Sequence, residues 1–363
     1  MIVRLTLGAA LLVGASGTAF AQSAPSPNAA PPAPPRAIAT RPATPGLDMQ
    51  TVLAQLTRLG GRPIERLTPV RARIQPSFAD AVNAEKRHRG LSTAPDPAVV
   101  TQDMSYGPDP MEYARIYKPA HPMGRGPMPL IVYYHGGGWV IADVNAYDAT
   151  PRLLAKELGA IVVSVEYRKA PEAKFPAQHN DAAMAYRWVL DNARAWGADR
   201  DHIALAGESA GGNLAVATAI YARDNRLPMP AHILAVYPIA NSSMTLPSRR
   251  DSANAKPLNG AMLKWFGYYY ARTKADQMDP RINLVAADLH GLPDTTIVNA
   301  QIDPLRSDGE TLADAMRAAN VRVEQRTFQG VTHEFFGMGQ LVHGARDAED
   351  YAVQRLQAAF RRN

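Results

Sequence analysis

The sequence predicts an α/β domain with a mostly parallel sheet, because short apolar runs alternate along the chain with longer segments of helical periodicity. Several of these runs are continuously apolar, which is typical of strands that are covered on both faces. The predicted strands are residues 130–134, 161–165, 203–206, 233–237, 296–299 and 321–326. The predicted helices are residues 180–195, 210–223, 309–319 and 345–361. The alternation shows no internal repeat, so we expect one α/β domain.

Length and composition indicate a globular chain that is stabilised by its core. The chain has 363 residues, of which 46% are hydrophobic and 20% are charged, enough for one large core or two modest ones. It contains no cysteine, and this excludes disulfides, a cysteine nucleophile and thiolate metal sites.

The formal charge of +6 is compatible with an anionic partner, but its distribution argues against one. Basic and acidic residues are mixed along the chain, and the densest basic run, residues 86–89, is short and lacks interleaved aromatic residues. We therefore predict a solvated basic surface and no nucleic-acid partner.

The first 21 residues resemble a secretory signal peptide. Arg4 supplies a positive charge, residues 5–13 form an apolar stretch, and residues 19–21 (Ala-Phe-Ala) provide a small-residue cleavage site. An uncleaved membrane anchor is the alternative, although the apolar segment is short for a span and is diluted by glycine. We expect cleavage after Ala21, a periplasmic or secreted protein, and no stable membrane insertion after cleavage.

Three further segments lie outside the alternation of strands and helices. Residues 22–47 are rich in proline and alanine, cannot bury a core, and are predicted to be a linker to the domain at residues 48–363. Residues 48–90 carry apolar side chains at helical spacing and predict N-terminal helices. Residues 241–292 form a long insertion, which is a candidate lid or cap.

A candidate nucleophile stands between a predicted strand and a predicted helix. The sequence Gly-Glu-Ser-Ala-Gly-Gly at residues 207–212 has the G-x-S-x-G spacing of a nucleophile elbow, with Ser209 at its centre. The sharp turn leaves no room for a Cβ two residues before or after the serine, and Gly207 and Gly211 meet that demand. A chance match in a glycine-rich loop is the alternative, but the strand and helix on either side argue against it.

A serine nucleophile needs a base and a carboxylate that orients the base, and after an elbow of this type the carboxylate comes first along the chain. Asp303 follows a predicted strand, and His333 follows the next one. Asp308 is an alternative carboxylate in the same loop. Three other histidines follow the serine at less suitable places, namely His232, His290 and His343.

The sequence also offers donors for the oxygen that becomes negative during ester hydrolysis. Residues 135–139, His-Gly-Gly-Gly-Trp, follow a predicted strand, and successive glycines leave their N–H groups open to a substrate. We predict an oxyanion hole formed by Gly137, Gly138 and the N–H of Ala210. A flexible turn or a phosphate-binding loop is the alternative, but neither phosphate-binding pattern is present.

These motifs, together with the segment at residues 167–177, resemble the hormone-sensitive lipase family of α/β-hydrolases, also called bacterial family IV esterases. The resemblance extends from about residue 48 to the end of the chain. It implies an eight-stranded sheet with helices on both faces, a helical cap built from residues 48–90 and the insertion, and hydrolysis of short-chain carboxylic esters. It implies catalytic roles for Ser209, Asp303 and His333, and it implies no cofactor and no metal.

Two residues depart from the usual pattern of that family. Glu208 stands where aspartate is more usual, and Glu334 stands where glycine is more usual. The Glu334 carboxylate either stabilises the imidazolium of His333 and raises its pKa, or points to solvent with no effect. The pair His333-Glu334 does not begin a zinc motif, because Gly337 occupies the place of the second histidine.

The substrate pocket is predicted less directly, from aromatic residues near these motifs. Trp139 and Phe336 are candidates for the pocket wall, whereas Trp265 and Tyr269 either line the pocket or form the buried face of the cap. We predict that Trp265, Tyr268 and Tyr269 share one face of a helix.

Function is predicted as serine carboxylesterase activity on a small-molecule ester, through an acyl-enzyme. A lipase or an amidase on the same triad is the alternative among enzymes. A ligand-binding protein without turnover is the alternative of another class, but such relatives lack the histidine that this chain has at His333.

Overall fold

A computed structural model of the protein describes residues 43–361 apart from positions 123 and 125. The predicted signal peptide at residues 1–21 and the predicted linker up to residue 42 lie outside the described residues. The last residue of the predicted linker, Leu47, already begins the first helix, and the amide of Gly46 donates to the carbonyl oxygen of Gly330 over 2.8 Å. The described chain is therefore anchored to the domain just before its first helix.

One eight-stranded sheet forms the centre of the described chain, in the order β1-β2-β4-β3-β5-β6-β7-β8. Strand β2 is antiparallel to both of its neighbours, and every other pair is parallel. The bounds are β1 Val99–Ser105, β2 Tyr113–Pro119, β3 Met128–Tyr134, β4 Ile161–Val165, β5 Ala198–Glu208, β6 His232–Val236, β7 Thr295–Ile302 and β8 Val323–Thr332. This confirms the predicted fold class.

All six predicted strands are present, but β1 and β2 were not predicted. Strand β1 is an edge strand whose Thr, Gln and Asp side chains face water, so it has no apolar run. Strand β2 buries Ala114 and Ile116 on one face and Tyr117 on the other, and the half-buried Arg115 and Lys118 interrupt its apolar residues. Neither strand therefore has the continuous apolar run that predicted the six other strands.

Helices cover both faces of the sheet, and the four predicted from the sequence appear with ends shifted by a few residues. The bounds are α1 Leu47–Arg58, α2 Pro69–Arg73, α3 Phe78–His88, α4 Ala149–Leu158, α5 Ala177–Asn192, α6 Ala210–Asp224, α7 Pro247–Asp251, α8 Gly260–Tyr270, α9 Arg306–Ala318 and α10 His343–Phe360. Helix α4 was not predicted. Short 3-10 turns lie at Ile64–Arg66, Ala193–Trp196, Ala275–Met278 and Leu284–Ala286.

Side chains of the central strands divide between two apolar clusters, one on each face of the sheet. In β3, Leu130 and Val132 pack in the cluster that includes α5, α6 and α9, while Ile131 and Tyr133 pack in the cluster that includes α4 and α10. This division follows from the period of two along a strand. Burying one such side chain contributes roughly 1.5–3 kcal/mol, so the central strands form a rigid frame for the loops at their ends.

The insertion and the N-terminal helices contact the domain and each other through specific polar contacts. The Arg249 guanidinium contacts both carboxylate oxygens of Asp308 at 2.9 Å, and both side chains are buried. The indole N–H of Trp265 on α8 donates to the carbonyl oxygen of Leu67 over 2.9 Å. No helix among the described residues has the length and apolar character that crossing a membrane requires.

Candidate active site

The turn between β5 and α6 has the backbone conformation of a nucleophile elbow. Ser209 has φ 57° and ψ −116°, a strained conformation for a residue with a side chain. A Cβ at Gly207 would collide with the carbonyl oxygen of Gly211, and a Cβ at Gly211 would collide with the carbonyl oxygen of Tyr134. The glycines therefore permit the close backbone approach that lifts Ser209 above the end of β5.

Ser209, His333 and Asp303 form a continuous chain of hydrogen bonds. The Ser209 Oγ atom lies 3.0 Å from His333 Nε2, and His333 Nδ1 lies 2.7 Å from Asp303 Oδ2. All three side chains are buried. The structure thus brings together three residues that are separated by up to 124 positions in the sequence.

The alternative residues of the sequence analysis lie elsewhere. Asp308 pairs with Arg249 and accepts the amide N–H groups of Ala240 and Asn241, both at 3.1 Å. His232 contacts Thr296 between β6 and β7, His290 is exposed beside Asp288, and His343 begins α10 at the surface. Asp308 therefore holds the start of the insertion, whereas Asp303 meets the histidine.

The three predicted oxyanion donors lie in suitable backbone positions. Gly137 and Gly138 have φ of 97° and 57°, and neither of their N–H groups has an acceptor among the described residues. Ala210 is the first residue of α6, so its N–H has no partner within the helix. Gly138 also packs so closely under Phe266 that a Cβ there would collide with the aromatic ring.

A buried polar cluster supports residues 135–139, which form the oxyanion loop. The sequence analysis assigned this cluster no role. The His135 ring stacks on Tyr167 with centroids 4.3 Å apart, and its Nε2 lies 3.5 Å from Glu166. Lys169 also pairs with Glu166. Burial by itself raises the pKa of Glu166, but His135 and Lys169 outweigh it and lower the pKa to about 2. The carboxylate is thus ionised and holds the loop that carries the glycines.

Two more carboxyl groups lie beside the hydrogen-bonded residues Ser209, His333 and Asp303. Glu208 is buried and accepts hydrogen bonds from Tyr133 at 2.5 Å and from Tyr237, and burial raises its pKa to about 7. Glu334 Oε1 lies 3.8 Å from His333 Nε2, and its side chain is 21% exposed. The interpretation in which Glu334 points to solvent is therefore wrong, because the φ of 68° directs its side chain towards His333 and Tyr147.

The surroundings of His333 raise its pKa above the ordinary value of 6.5. Burial lowers the pKa, but the charge of Asp303, its hydrogen bond, and the charges of Glu334 and Glu208 outweigh that effect. The imidazolium is therefore stabilised by three carboxyl groups, of which Asp303 is the nearest.

The predicted pocket residues occupy several environments. Trp139 is buried and stacks on Tyr270 with centroids 4.1 Å apart, and Phe336 is buried on the opposite face of the sheet. Trp265 is buried and contacts Tyr269, which agrees with the interpretation as the buried face of the cap.

Tyr268 is 74% exposed, so the predicted shared face of the aromatic cluster is only partly present. Phe266 and Tyr270, which the sequence analysis did not select, are the aromatic residues of α8 that reach the oxyanion loop. The spacing of four between them gave that signal in the sequence.

A separate cleft does not include the serine. It has a volume of about 870 Å³ and is lined by parts of residues 64–83, 109–111, 141–146 and 168–173. Neither the hydrogen-bonded chain nor the four predicted pocket residues line it. Among the residues with described positions, no group of three His, Asp or Glu side chains is arranged to hold a metal ion.

A serine, an imidazole and a carboxylate in hydrogen-bonded series, at the ends of parallel strands and beside unpaired amide N–H groups, define a serine hydrolase site on an α/β-hydrolase fold. Comparisons with known proteins agree with this class. A protein-family model described as alpha/beta hydrolase fold matches residues 131–337. The chain belongs to the α/β-hydrolase family, as the motifs predicted.

Similar proteins within the family are esterases. The chain is 36% identical to the carboxylesterase NlhH of Mycobacterium tuberculosis over 78% of this chain and 91% of that protein. It is 35% identical to an arylesterase of Saccharolobus solfataricus over 67% of this chain and 79% of that protein. A hyperthermophilic esterase of Pyrobaculum calidifontis superimposes with a TM-score of 0.76 at 33% identity, over 88% and 99% of the two chains. The protein is a carboxylic ester hydrolase.

Proposed function

We propose that the protein is a serine carboxylesterase that hydrolyses short-chain esters, with Ser209 as nucleophile, His333 as general base and Asp303 as the carboxylate that orients it. The observation that carries this proposal is the pair of hydrogen bonds, 3.0 Å from Ser209 to His333 and 2.7 Å from His333 to Asp303. Names of similar proteins, which include an ethyl acetate hydrolase of Pseudomonas putida, support a short acyl group.

The reaction proceeds in two halves. His333 Nε2 takes the proton of Ser209 as its oxygen attacks the ester carbonyl, and the negative oxygen is bound by the N–H groups of Gly137, Gly138 and Ala210. The protonated His333 then donates to the leaving alcohol, and an acyl-enzyme remains. Water attacks that ester with the same base, which releases the acid and restores Ser209.

The test is hydrolysis of p-nitrophenyl esters of increasing acyl length by the protein and by its Ser209→Ala and His333→Ala variants. We expect cleavage of short chains, with a loss of at least about 10³-fold in kcat for each variant. A preference for long chains at an oil surface would indicate a lipase, and cleavage of anilides would indicate an amidase. A folded protein that is inert on all of these substrates would contradict the proposal.

The pH dependence gives a second test of the base. Activity requires neutral His333, so kcat/KM falls as the pH drops through the pKa of that residue, which lies above 6.5. An acid limb below about pH 5 would contradict His333 as the base.

We further propose that the chain is exported and cleaved after Ala21. The charged start, apolar stretch and small-residue site of residues 1–21 support this. Fractionation of cells that express the full chain, followed by N-terminal sequencing, tests the proposal. A mature protein that begins at Gln22 in the periplasm or medium is the expected result, and a cytoplasmic protein that retains residues 1–21 would contradict it.

A further inference from the structure

The Glu334 side chain lies on the same side of His333 as the nucleophile. Its Oε1 atom is 3.8 Å from His333 Nε2, and that nitrogen is itself 3.0 Å from Ser209 Oγ. Glu334 retains 21% of its side-chain exposure, whereas the side chains of His333 and Asp303 retain 4% and 0%. A carboxylate that remains partly accessible thus lies next to the atom that exchanges protons with the nucleophile.

Glu334 is held in this position from both ends. The Tyr147 hydroxyl lies 2.7 Å from each of its carboxylate oxygens, and Tyr147 packs against Gly136 in the oxyanion loop. The backbone at Glu334 has φ 68°, a conformation that glycine adopts at lower cost. A non-glycine residue in a strained conformation beside reacting groups is a reason to look for a function of its side chain.

The two halves of ester hydrolysis make different demands on hydrogen-bond acceptors. In the first half the nucleophile is a serine hydroxyl, which has one hydrogen, and His333 accepts it. In the second half the nucleophile is water, which has two hydrogens and needs a second acceptor if it is to be held in one orientation. Two acceptors 3.8 Å apart are close enough for one water molecule to donate to both.

Of the carboxyl groups around His333, only Glu334 has an oxygen placed for this purpose within the described part of the chain. Asp303 accepts from His333 Nδ1 on the far side of the ring and from the amide of Leu305 at 2.8 Å. Glu208 accepts from Tyr133 and Tyr237. The oxygens of Asp303 and Glu208 therefore face these donors, whereas Glu334 Oε1 faces His333 Nε2.

We propose that Glu334 binds the hydrolytic water of the second half-reaction and accepts a hydrogen bond from the hydrogen that His333 does not take. This rests on the proposed function. The water oxygen attacks the acyl carbon as its other proton passes to His333 Nε2, and the tetrahedral intermediate then expels Ser209 Oγ. That oxygen recovers the proton from His333, and the second hydrogen of the water stays on the carboxylic acid, which ionises after release.

Charged groups around Glu334 define the pH at which the proposal is tested. Burial raises the pKa of Glu334, and Asp303 raises it further, while His333, His135 and the Tyr147 hydrogen bond lower it. Because the net pKa is raised, the comparison belongs at about pH 9, where both the carboxylate and the neutral imidazole are populated. Changes in the ionisation of His333 then do not contribute to the result.

The experiment compares water with methanol as acceptors of the acyl group. Methanol has one hydroxyl hydrogen, so it needs His333 alone, and the ratio of methyl ester to free acid is set after the acyl-enzyme has formed. Glu334→Gly removes the acceptor and relieves the backbone, and Glu334→Gln keeps the size and the contact with Tyr147. The measurement is the product ratio from p-nitrophenyl acetate with methanol present, together with the pre-steady-state burst.

We expect Glu334→Gly to raise the methanol-to-water product ratio at least about tenfold and to lower the hydrolysis rate of the acyl-enzyme by a similar factor. The rate of the burst should stay within about threefold of the unchanged protein. The product ratio of Glu334→Gln should lie between those of Glu334→Gly and the unchanged protein. The control is Glu349→Gln, which removes a buried carboxyl group on α10 that accepts the amide N–H of Gly339 and should leave the product ratio unchanged.

An unchanged ratio in both Glu334 variants would overturn the proposal, as would a burst rate and an acyl-enzyme hydrolysis rate that fall together. Failure of the proposed function would look different, because the unchanged protein would then release no more p-nitrophenol than its Ser209→Ala variant.

Discussion

The nucleophile elbow and the loop that carries His333 meet at one hydrogen bond, yet they are held by different forces. The elbow, residues 207–212, is fixed by the backbone, because its glycines allow carbonyl groups to approach where a Cβ would collide. The histidine loop, residues 331–339, is fixed by carboxyl groups, namely the buried Asp303 and Glu349 from neighbouring elements and the partly exposed Glu334 within the loop.

The two halves of the site are therefore sensitive to different changes. Steric contacts do not depend on pH, so the elbow keeps its shape whenever the domain is folded. Buried carboxyl groups change charge with pH, so the histidine loop is sensitive to both pH and the loss of a single charge.

The largest effect is expected from Asp303→Asn, which keeps the shape of the side chain but removes the charge behind His333. An amide cannot hold the imidazole in the required tautomer, and we expect kcat to fall by about 10⁴-fold at pH 8. The measurement is steady-state hydrolysis of a short p-nitrophenyl ester.

Asp308→Asn is the matched control for that change, because Asp308 is buried five residues away and faces Arg249. We expect less than a tenfold loss of kcat, but a free energy of unfolding lower by about 3 kcal/mol, since Arg249 loses its buried partner. Equal losses of kcat in the two variants would contradict the assignment of Asp303.

The next effect is expected from Gly207→Ala in the elbow. The added Cβ meets the carbonyl oxygen of Gly211, and backbone cannot move away as a flexible side chain can. We expect a loss of about 3 kcal/mol in the free energy of unfolding and at least about 10²-fold in kcat, at every pH where the protein is folded.

Gly260→Ala, at the start of α8, is its control, because the nearest atom to the added Cβ is 3.7 Å away. The free energy of unfolding of this variant, measured by chemical denaturation, should lie within about 1 kcal/mol of that of the unchanged protein. If Gly207→Ala proved equally mild, steric contact would not be what fixes the elbow.

The smallest effect is expected from Glu349→Gln, which tests the electrostatic half of the comparison. Burial raises the pKa of Glu349 from 4.5 to about 7, so ionising this group lowers stability as the pH rises from about 4.5 to 7. The free energy of unfolding should fall between pH 5 and pH 8 in both proteins. We expect this fall to be about 2 kcal/mol smaller in the variant than in the unchanged protein.

Chemical denaturation at the two pH values measures this difference. Glu208 and Asp308, whose pKa values are also raised by burial, to about 7 and about 6, remain in the variant and act in the same direction. Parallel pH profiles for the two proteins would mean that Glu349 does not control the stability of the loop.

Features that depend on local sterics and on burial could be predicted from the sequence. Continuous apolar runs predicted the six buried strands because both faces of those strands are covered. The glycines around Ser209 predicted the elbow because its turn excludes a Cβ. Chain order then limited the choice of base and carboxylate to a few residues.

Features that depend on where side chains meet required the tertiary structure. It separated Asp303 from Asp308, which have the same chemistry and lie five residues apart, because one faces His333 and the other faces Arg249. It placed Glu334 beside His333, which the sequence left open, because the φ of a single residue and one tyrosine hydroxyl determine that direction. Strand β1 could not be predicted from the sequence either, because its pairing with β2 and not its own side chains makes it a strand.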